Sequence, residues 1–144
     1  MIEQHQVVIG IDFGTKRTGI AIGQTFLKTA QALKPINTVN NLPYETELKK
    51  VLDEWKPNLA VIGKPATASK GFNKKLNNLA RYLQKVHSLN HYFIDETLTT
   101  EQANFELHSA KVKAHQKQEK RDSIAARLII ETYFETLSQL ALNR

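Results

Sequence analysis

At 144 residues the chain is long enough for one well-buried core and too short for two, and 41% hydrophobic with 24% charged residues is an ordinary globular balance. It holds no cysteine, which excludes disulfides, thiolate metal sites and a cysteine nucleophile; it shows neither a secretory leader pattern nor an apolar run of membrane-spanning length, which points to the cytosol. A net charge of +6 favours a polyanionic partner such as nucleic acid.

The first element is the run Val7-Val8-Ile9-Gly10-Ile11, apolar and rich in β-branched residues, as a buried strand requires. It ends on a carboxylate, Asp12. Gly14 and Gly19 follow, and Ile20-Ala21-Ile22 begins a second apolar run, so the stretch reads as a tight hairpin with Asp12 beside the turn. An acid closing a strand buried on both faces is costly unless it is paired or metal-bound. The first forty residues predict a three-strand meander over about 6–12, 17–23 and 33–39, the third an edge strand interrupted by Pro35.

Leu48, Val51, Leu52 and Trp55 fall at i, i+3, i+4 and i+7 between Pro43 and Pro57, which predicts an amphipathic helix. Leu59 to Gly63 reads as a short buried strand. Phe72, Leu76, Leu79, Ala80, Leu83 and Val86 mark a second helix, and His91 to Asp95 a fifth strand. Thr99-Thr100-Glu101-Gln102 has the form of a capping box, opening a third helix to about Ala110. Residues 111–120 lack apolar periodicity and read as a mobile basic loop; a last helix then runs from about Arg121 to Leu140. The order β-β-β-α-β-α-β-α-α predicts an α/β fold, a five-stranded mixed sheet (three antiparallel strands, then parallel ones) with helices on both faces. Ligands gather at the carboxyl ends of parallel strands in such sheets, where Asp12 and Glu96 both fall.

Asp122 opens the last helix, and its i+3, i+4 and i+7 neighbours are Ala125, Ala126 and Ile129, so it borders the buried face. The two alanines allow that helix to lie close to the sheet, bringing Asp122 toward Asp12 and Glu96. Clustered acids repel, and cations make the cluster tolerable; hard oxygen donors select Mg²⁺ or Mn²⁺, two of which would suit phosphodiester hydrolysis. Blander readings stand beside this one. Asp122 also fits a helix-start acid favoured by the macrodipole, and Glu96 a solvated residue ahead of the capping box. The five histidines, His5, His87, His91, His108 and His115, show no ligand spacing and read as surface residues. Lys74-Lys75 reads as part of an exposed helix face. Lys111, Lys113, Lys117, Lys120 and Arg121 are either a solvated segment or a loop that closes over a bound nucleic-acid backbone beside Asp122.

Four motifs in order carry a resemblance over nearly the whole chain: Asp12-Phe13-Gly14-Thr15-Lys16-Arg17-Thr18-Gly19, Val61-Ile62-Gly63-Lys64-Pro65, Asp95-Glu96-Thr97-Leu98-Thr99-Thr100 and Asp122-Ser123-Ile124-Ala125-Ala126. In these the chain resembles the YqgF (RuvX-like) family, which has an RNase H-like fold. Its members are described as Holliday junction resolvases and as nucleases that mature the 5′ end of pre-16S ribosomal RNA. The resemblance implies Asp12, Glu96 and Asp122 as catalytic and metal-binding acids, with Arg17 of the first motif among the substrate contacts. Two departures stand out. Thr97 replaces the arginine usual after the glutamate, removing a phosphate clamp, and Lys64 replaces an apolar residue, supplying a cation at a different place.

The substrate implied is precursor rRNA or branched DNA. Asp12-Phe13-Gly14-Thr15 also resembles the first phosphate turn of actin-like ATPases, but those need a second domain for which 144 residues leave no room. A non-catalytic module binding nucleic acid, or a transcription or ribosome-assembly factor, is the other alternative. Retention of three acids argues against it, because a polyanion gains nothing from buried negative charge without metal.

Overall fold

The computed structural model describes residues 6–95 and 114–142, with side chains in the last helix from residue 123 onward. The strands are β1 (Val7–Asp12), β2 (Arg17–Gln24), β3 (Thr29–Ala32), β4 (Ile36–Val39), β5 (Leu42–Pro43), β6 (Leu59–Lys64) and β7 (Asn90–Asp95). The helices are α1 (Glu45–Trp55), α2 (Lys70–His87) and α3 (Ala114–Leu142). The sheet runs β5-β4-β2-β1-β6-β7, with β3 also paired to β2. Strand β1 is antiparallel to β2 and parallel to β6, and β6 is parallel to β7, so the most apolar strand is central.

The mixed α/β architecture is as predicted, but among the described residues there are seven strands rather than five. Of the expected third strand over 33–39 only β4 forms, and an unexpected strand, β3, precedes it, the two lying along successive stretches of β2. Leu33 still donates to the Ile20 carbonyl, and Pro35, lacking an N–H, then breaks the ladder. The stretch Thr29-Ala30-Gln31-Ala32 has no large apolar residue to announce a strand. Strand β5 is a two-residue return after Asn40 and Asn41, both at positive φ, the backbone that a tight hairpin turn demands.

Period-two alternation divides the core. Ile9, Ile11, Ile20, Ile22 and Ile62 face α1 and α2, meeting Leu48, Leu76, Leu79 and Leu83. Val8, Ala21 and Val61 face α3, meeting Ala126, Ile129, Ile130, Tyr133 and Phe134. Gly10 and Gly23 belong to this second face, which is therefore lined by small residues and lets α3 approach closely.

Helix α1 begins and ends inside its two prolines, and Lys56 closes it in the left-handed region with its N–H on the Leu52 carbonyl. Ser69 caps α2 by accepting from the Phe72 N–H at 3.1 Å. His87 is not a surface residue as expected. Its Nε2 lies 2.9 Å from Glu45 Oε1, and Tyr82 donates to the same oxygen, tying the end of α2 to the start of α1. Burial, and then the carboxylate it donates to, pushes the Tyr82 phenol up to about 12. The expected helix over 99–110 and its capping box lie outside the described residues.

Candidate functional site

Three parallel strands end together at one edge. Ile11 pairs with Ile62, and Lys64 pairs with Asp95, so Asp12, Lys64 and Asp95 terminate β1, β6 and β7 at nearly one level. Alternation decides which face each side chain takes. Asp12 follows Val8 and Gly10 toward α3. Its cross-strand partner is Gly19, and Arg17, two residues before Gly19 on β2, shares that parity. Asp12 and Arg17 therefore stand on the same face of the sheet. Lys64 follows Ala60 and Ile62 toward α2, as Asp95 follows Phe93. Lys64 is thus on the opposite face from Asp12. There its Nζ sits 5.5 Å from the Phe93 ring centroid, in a cleft of about 230 Å³ also lined by Pro65, Asn73 and Asp95.

The turn after Asp12 is held from below. A side chain at Gly14 would collide with the Arg17 carbonyl, so only hydrogen fits there; its φ is not positive, and close approach alone imposes the glycine. Thr38 donates its hydroxyl to the Gly14 carbonyl at 2.6 Å, and its backbone N–H meets the Lys16 carbonyl at 2.9 Å. With its one proton spent, Thr38 Oγ1 accepts from fully buried Thr18 at 2.8 Å. Thr38→Val keeps the shape and removes both partners, leaving a buried hydroxyl unsatisfied. The cost should be about 1–3 kcal/mol, read from urea midpoints, with Thr38→Ser restoring most of it. A midpoint unchanged in Thr38→Val would show that the turn stands without this clamp.

Helix α3 covers the Asp12 face. A Cβ on Gly10 would lie 2.6 Å from the Ala126 carbonyl, so the helix backbone rests directly on β1. From Ala126 the helix runs past Ile130 to Phe134 toward the Gly23 end of the sheet, antiparallel to β1. Residue 122, one turn before Ala126, therefore lies toward the Asp12 end. Ser123, buried, pins this region by donating to the Leu33 carbonyl at 2.7 Å. The close approach anticipated from Ala125 and Ala126 is thus present.

Of the three predicted acids, Asp12 alone has a described side chain, half-buried at the strand end. Glu96, Thr97, Lys111 and Lys113 lie outside the described residues; Asp122, Lys117, Lys120 and Arg121 are described as backbone within α3. Among the described residues no three acidic or histidine side chains gather as a metal site. The mobile loop expected over 111–120 is corrected from residue 114 onward, where α3 begins. Gln116, Lys117, Gln118, Glu119 and Lys120 are straight-chain helix formers with no glycine or proline, so the helix extends through them without apolar periodicity to announce it. Thr38, Ser123 and Asn73 were missed. Thr38 carries no motif signal, and Ser123, though inside the fourth motif, gives no sign there of its bond to Leu33, since each acts on a residue at least twenty positions away.

A family model described as "RuvX: Holliday junction resolvase" matches residues 6–136. A protein of Acinetobacter baylyi named "Putative pre-16S rRNA nuclease" is 32% identical over 133 residues, covering 90% of each chain. One of the same name from Histophilus somni is 39% identical over 134 residues, covering 89% of this chain and 93% of that one. Among solved structures, Thermus thermophilus RuvC in complex with a Holliday junction substrate superimposes with a TM-score of 0.56 at 14% identity, over 92% of this chain and 96% of its own. Fowlpox virus resolvase with Holliday junction DNA gives 0.53 at 15% identity, over 91% and 98%. At these identities the likeness establishes the shared RNase H-like fold.

Proposed function

The chain belongs to the RuvX family, and on that premise we propose that it is a nuclease hydrolysing phosphodiester bonds in structured nucleic acid, with the 5′ extension of pre-16S rRNA as substrate. The observation that carries this reading is the placement of half-buried Asp12 and of Arg17 on one face of the central strands, under a helix whose backbone brings residue 122 toward that end. The relatives' names supply the substrate class, and the basic balance of the chain agrees with it.

The donor set fits a hard cation. Asp12 offers carboxylate oxygen, the resemblance adds Glu96 and Asp122, and no cysteine competes. Two Mg²⁺ or Mn²⁺ ions, when bound by these acids, supply an activated water and charge stabilisation at the leaving oxygen. The chain's own residues do the rest. Asp12 is held by a strand that cannot move without breaking the core, and the clamped turn after it fixes where Arg17 emerges. The Arg17 guanidinium is suited to grip a phosphate in two-point fashion on the Asp12 face. Lys64 stands on the other face and contacts the backbone as it leaves the site.

Purified protein with Mg²⁺ or Mn²⁺ should cut a 5′-extended 16S precursor, and a depletion strain should accumulate that extension. A four-way DNA junction assayed beside it tests the resolvase reading, favoured by the family description and the RuvC likeness; paired cuts would require a symmetric dimer. Binding of either substrate without any cleavage would make the chain a non-catalytic module. The face assigned to Lys64 gives a further check. Lys64→Ala should weaken substrate binding, flatten its salt dependence by about one unit and leave the metal requirement unchanged. Loss of cleavage with binding and salt slope intact would instead place Lys64 at the chemistry.

A further inference from the structure

Helix α2 carries five lysines and arginines and no acid along its 18 residues. The core takes Leu76, Leu79, Ala80 and Leu83. At roughly 100° per residue, Lys70, Lys74, Arg81 and Lys85 fall within an arc of roughly 60° on the opposite side. All four are exposed, and among the described residues none of them is in an ion pair. They span fifteen positions, or about 22 Å at 1.5 Å per residue.

The ground on either side of this stripe is uncharged and hydrogen-bonding. One groove, of about 530 Å³, is lined by Asn77, Arg81, Gln84, Asn90 and His91. The other, of about 320 Å³, is lined by Asn40, Asn41, Asn78, Arg81 and Lys85. Carboxamides beside lysine and arginine are the side chains that meet phosphate and sugar oxygens; an acid would repel them, and neither groove has one. Position adds direction. Strand β6 ends at Lys64, and α2 starts after Ser69 at the same edge as Asp12, where Asn73 and Lys64 share a cleft. The Asn73 Oδ1 in that cleft is buried without a hydrogen-bond partner among the described residues. The stripe therefore leads from the candidate cleavage edge toward the far edge of the sheet.

We infer that the exposed face of α2, through Lys70, Lys74, Arg81 and Lys85, binds the phosphodiester backbone of a double-stranded arm flanking the cleavage point. This rests on the nuclease reading and extends it to a surface that chemistry at Asp12 does not use. A duplex presents one charge per roughly 1.7 Å of axis, so four cations along about 22 Å meet phosphates throughout their length. The contacts position the substrate without reading its sequence.

The test measures binding against salt concentration in an Asp12→Asn background, so that the probe, a 5′-extended hairpin RNA, is not cut. Lys70→Ala, Lys74→Ala, Arg81→Ala and Lys85→Ala are combined in one variant. Its control removes the same charge elsewhere through Lys28→Ala, Lys34→Ala, Lys49→Ala and Lys50→Ala. Alanine at exposed helix positions preserves α2, and a quadruple glutamine version guards against loss of fold. The stripe variant should show a log–log salt slope flatter by about three to four units, the control much less. With Asp12 restored, the stripe variant should raise KM and leave kcat at saturation unchanged. Equal slopes for stripe and control variants overturn the proposal, whether or not the wild type cleaves. A flattened slope in a protein that never cleaves keeps the binding surface and removes the nuclease reading. A DNA hairpin of the same sequence run in parallel separates phosphate contacts, common to both probes, from contacts to the 2′-hydroxyl.

Discussion

Asp12→Asn should reduce cleavage by roughly a thousandfold or more while leaving the protein folded. The substitution keeps size, shape and one carbonyl oxygen, turns the other oxygen into an NH2 donor and removes the charge. The domain should still fold. Asp12 closes a strand whose hold on the core comes from Val8, Ile9 and Ile11, all fully buried. If Glu96 and Asp122 join it, neutralising one acid relieves repulsion and the melting temperature holds or rises. Binding separates the readings further. In metal-free buffer a polyanion meets one fewer negative charge, so Asp12→Asn should bind substrate at least as tightly as wild type. Calorimetry with Mg²⁺ or Mn²⁺ should show a weakened ion site in the same variant. Unchanged cleavage in Asp12→Asn, or full wild-type activity in excess EDTA, would sink the assignment.

Asp12 was legible because its chemistry conflicts with its setting: an acid at the end of five apolar or glycine residues needs a reason. The α1 and α2 segments were legible because their apolar spacing matches the helical period, and β6 and β7 because each is a short apolar-rich run between turn signals. The third strand was not, because Ala30 and Ala32 pair through backbone and contribute little side chain. The start of α3 was missed because residues 114–120 have helix propensity without an apolar face. His87 looked like surface because its partner Glu45 lies forty-two positions earlier, and no local pattern encodes that distance. The opposed faces of Lys64 and Asp12 follow from parity, but only once the β1–β6 register is known. Lys74-Lys75 read as bland in isolation; Lys74 acquires meaning only as one of four cations on a single side of α2.

Gly10 should tolerate no side chain, and its failure should reach the site as well as the fold. A Cβ there would stand 2.6 Å from the Ala126 carbonyl and 2.6 Å from Ile130 Cγ1. Two effects favour substitution: alanine restricts the unfolded chain, worth about 0.4–1 kcal/mol, and valine has the better strand propensity, up to about 1 kcal/mol. Overpacking opposes them with about 1–3 kcal/mol, and more where the obstacle is backbone. The Ile130 side chain can rotate away; the Ala126 carbonyl can retreat only if α3 lifts off β1. The clash wins. Gly10→Ala should lower stability by about 1–2 kcal/mol and Gly10→Val by about 3 kcal/mol or more, read from urea midpoints. Ile130→Val in the Gly10→Ala background should recover only part of the loss. Lifting α3 also shifts residue 122 relative to Asp12, and a misplacement of about 1 Å can cost roughly a hundredfold in rate. Folded Gly10→Ala should therefore cleave far more slowly than its folded fraction predicts, with salt-dependent binding along α2 unchanged. If Gly10→Ala were as stable as wild type, α3 would not be pressed onto β1. If it lost stability but cleaved in proportion to its folded fraction, α3 would not position an acid for the reaction.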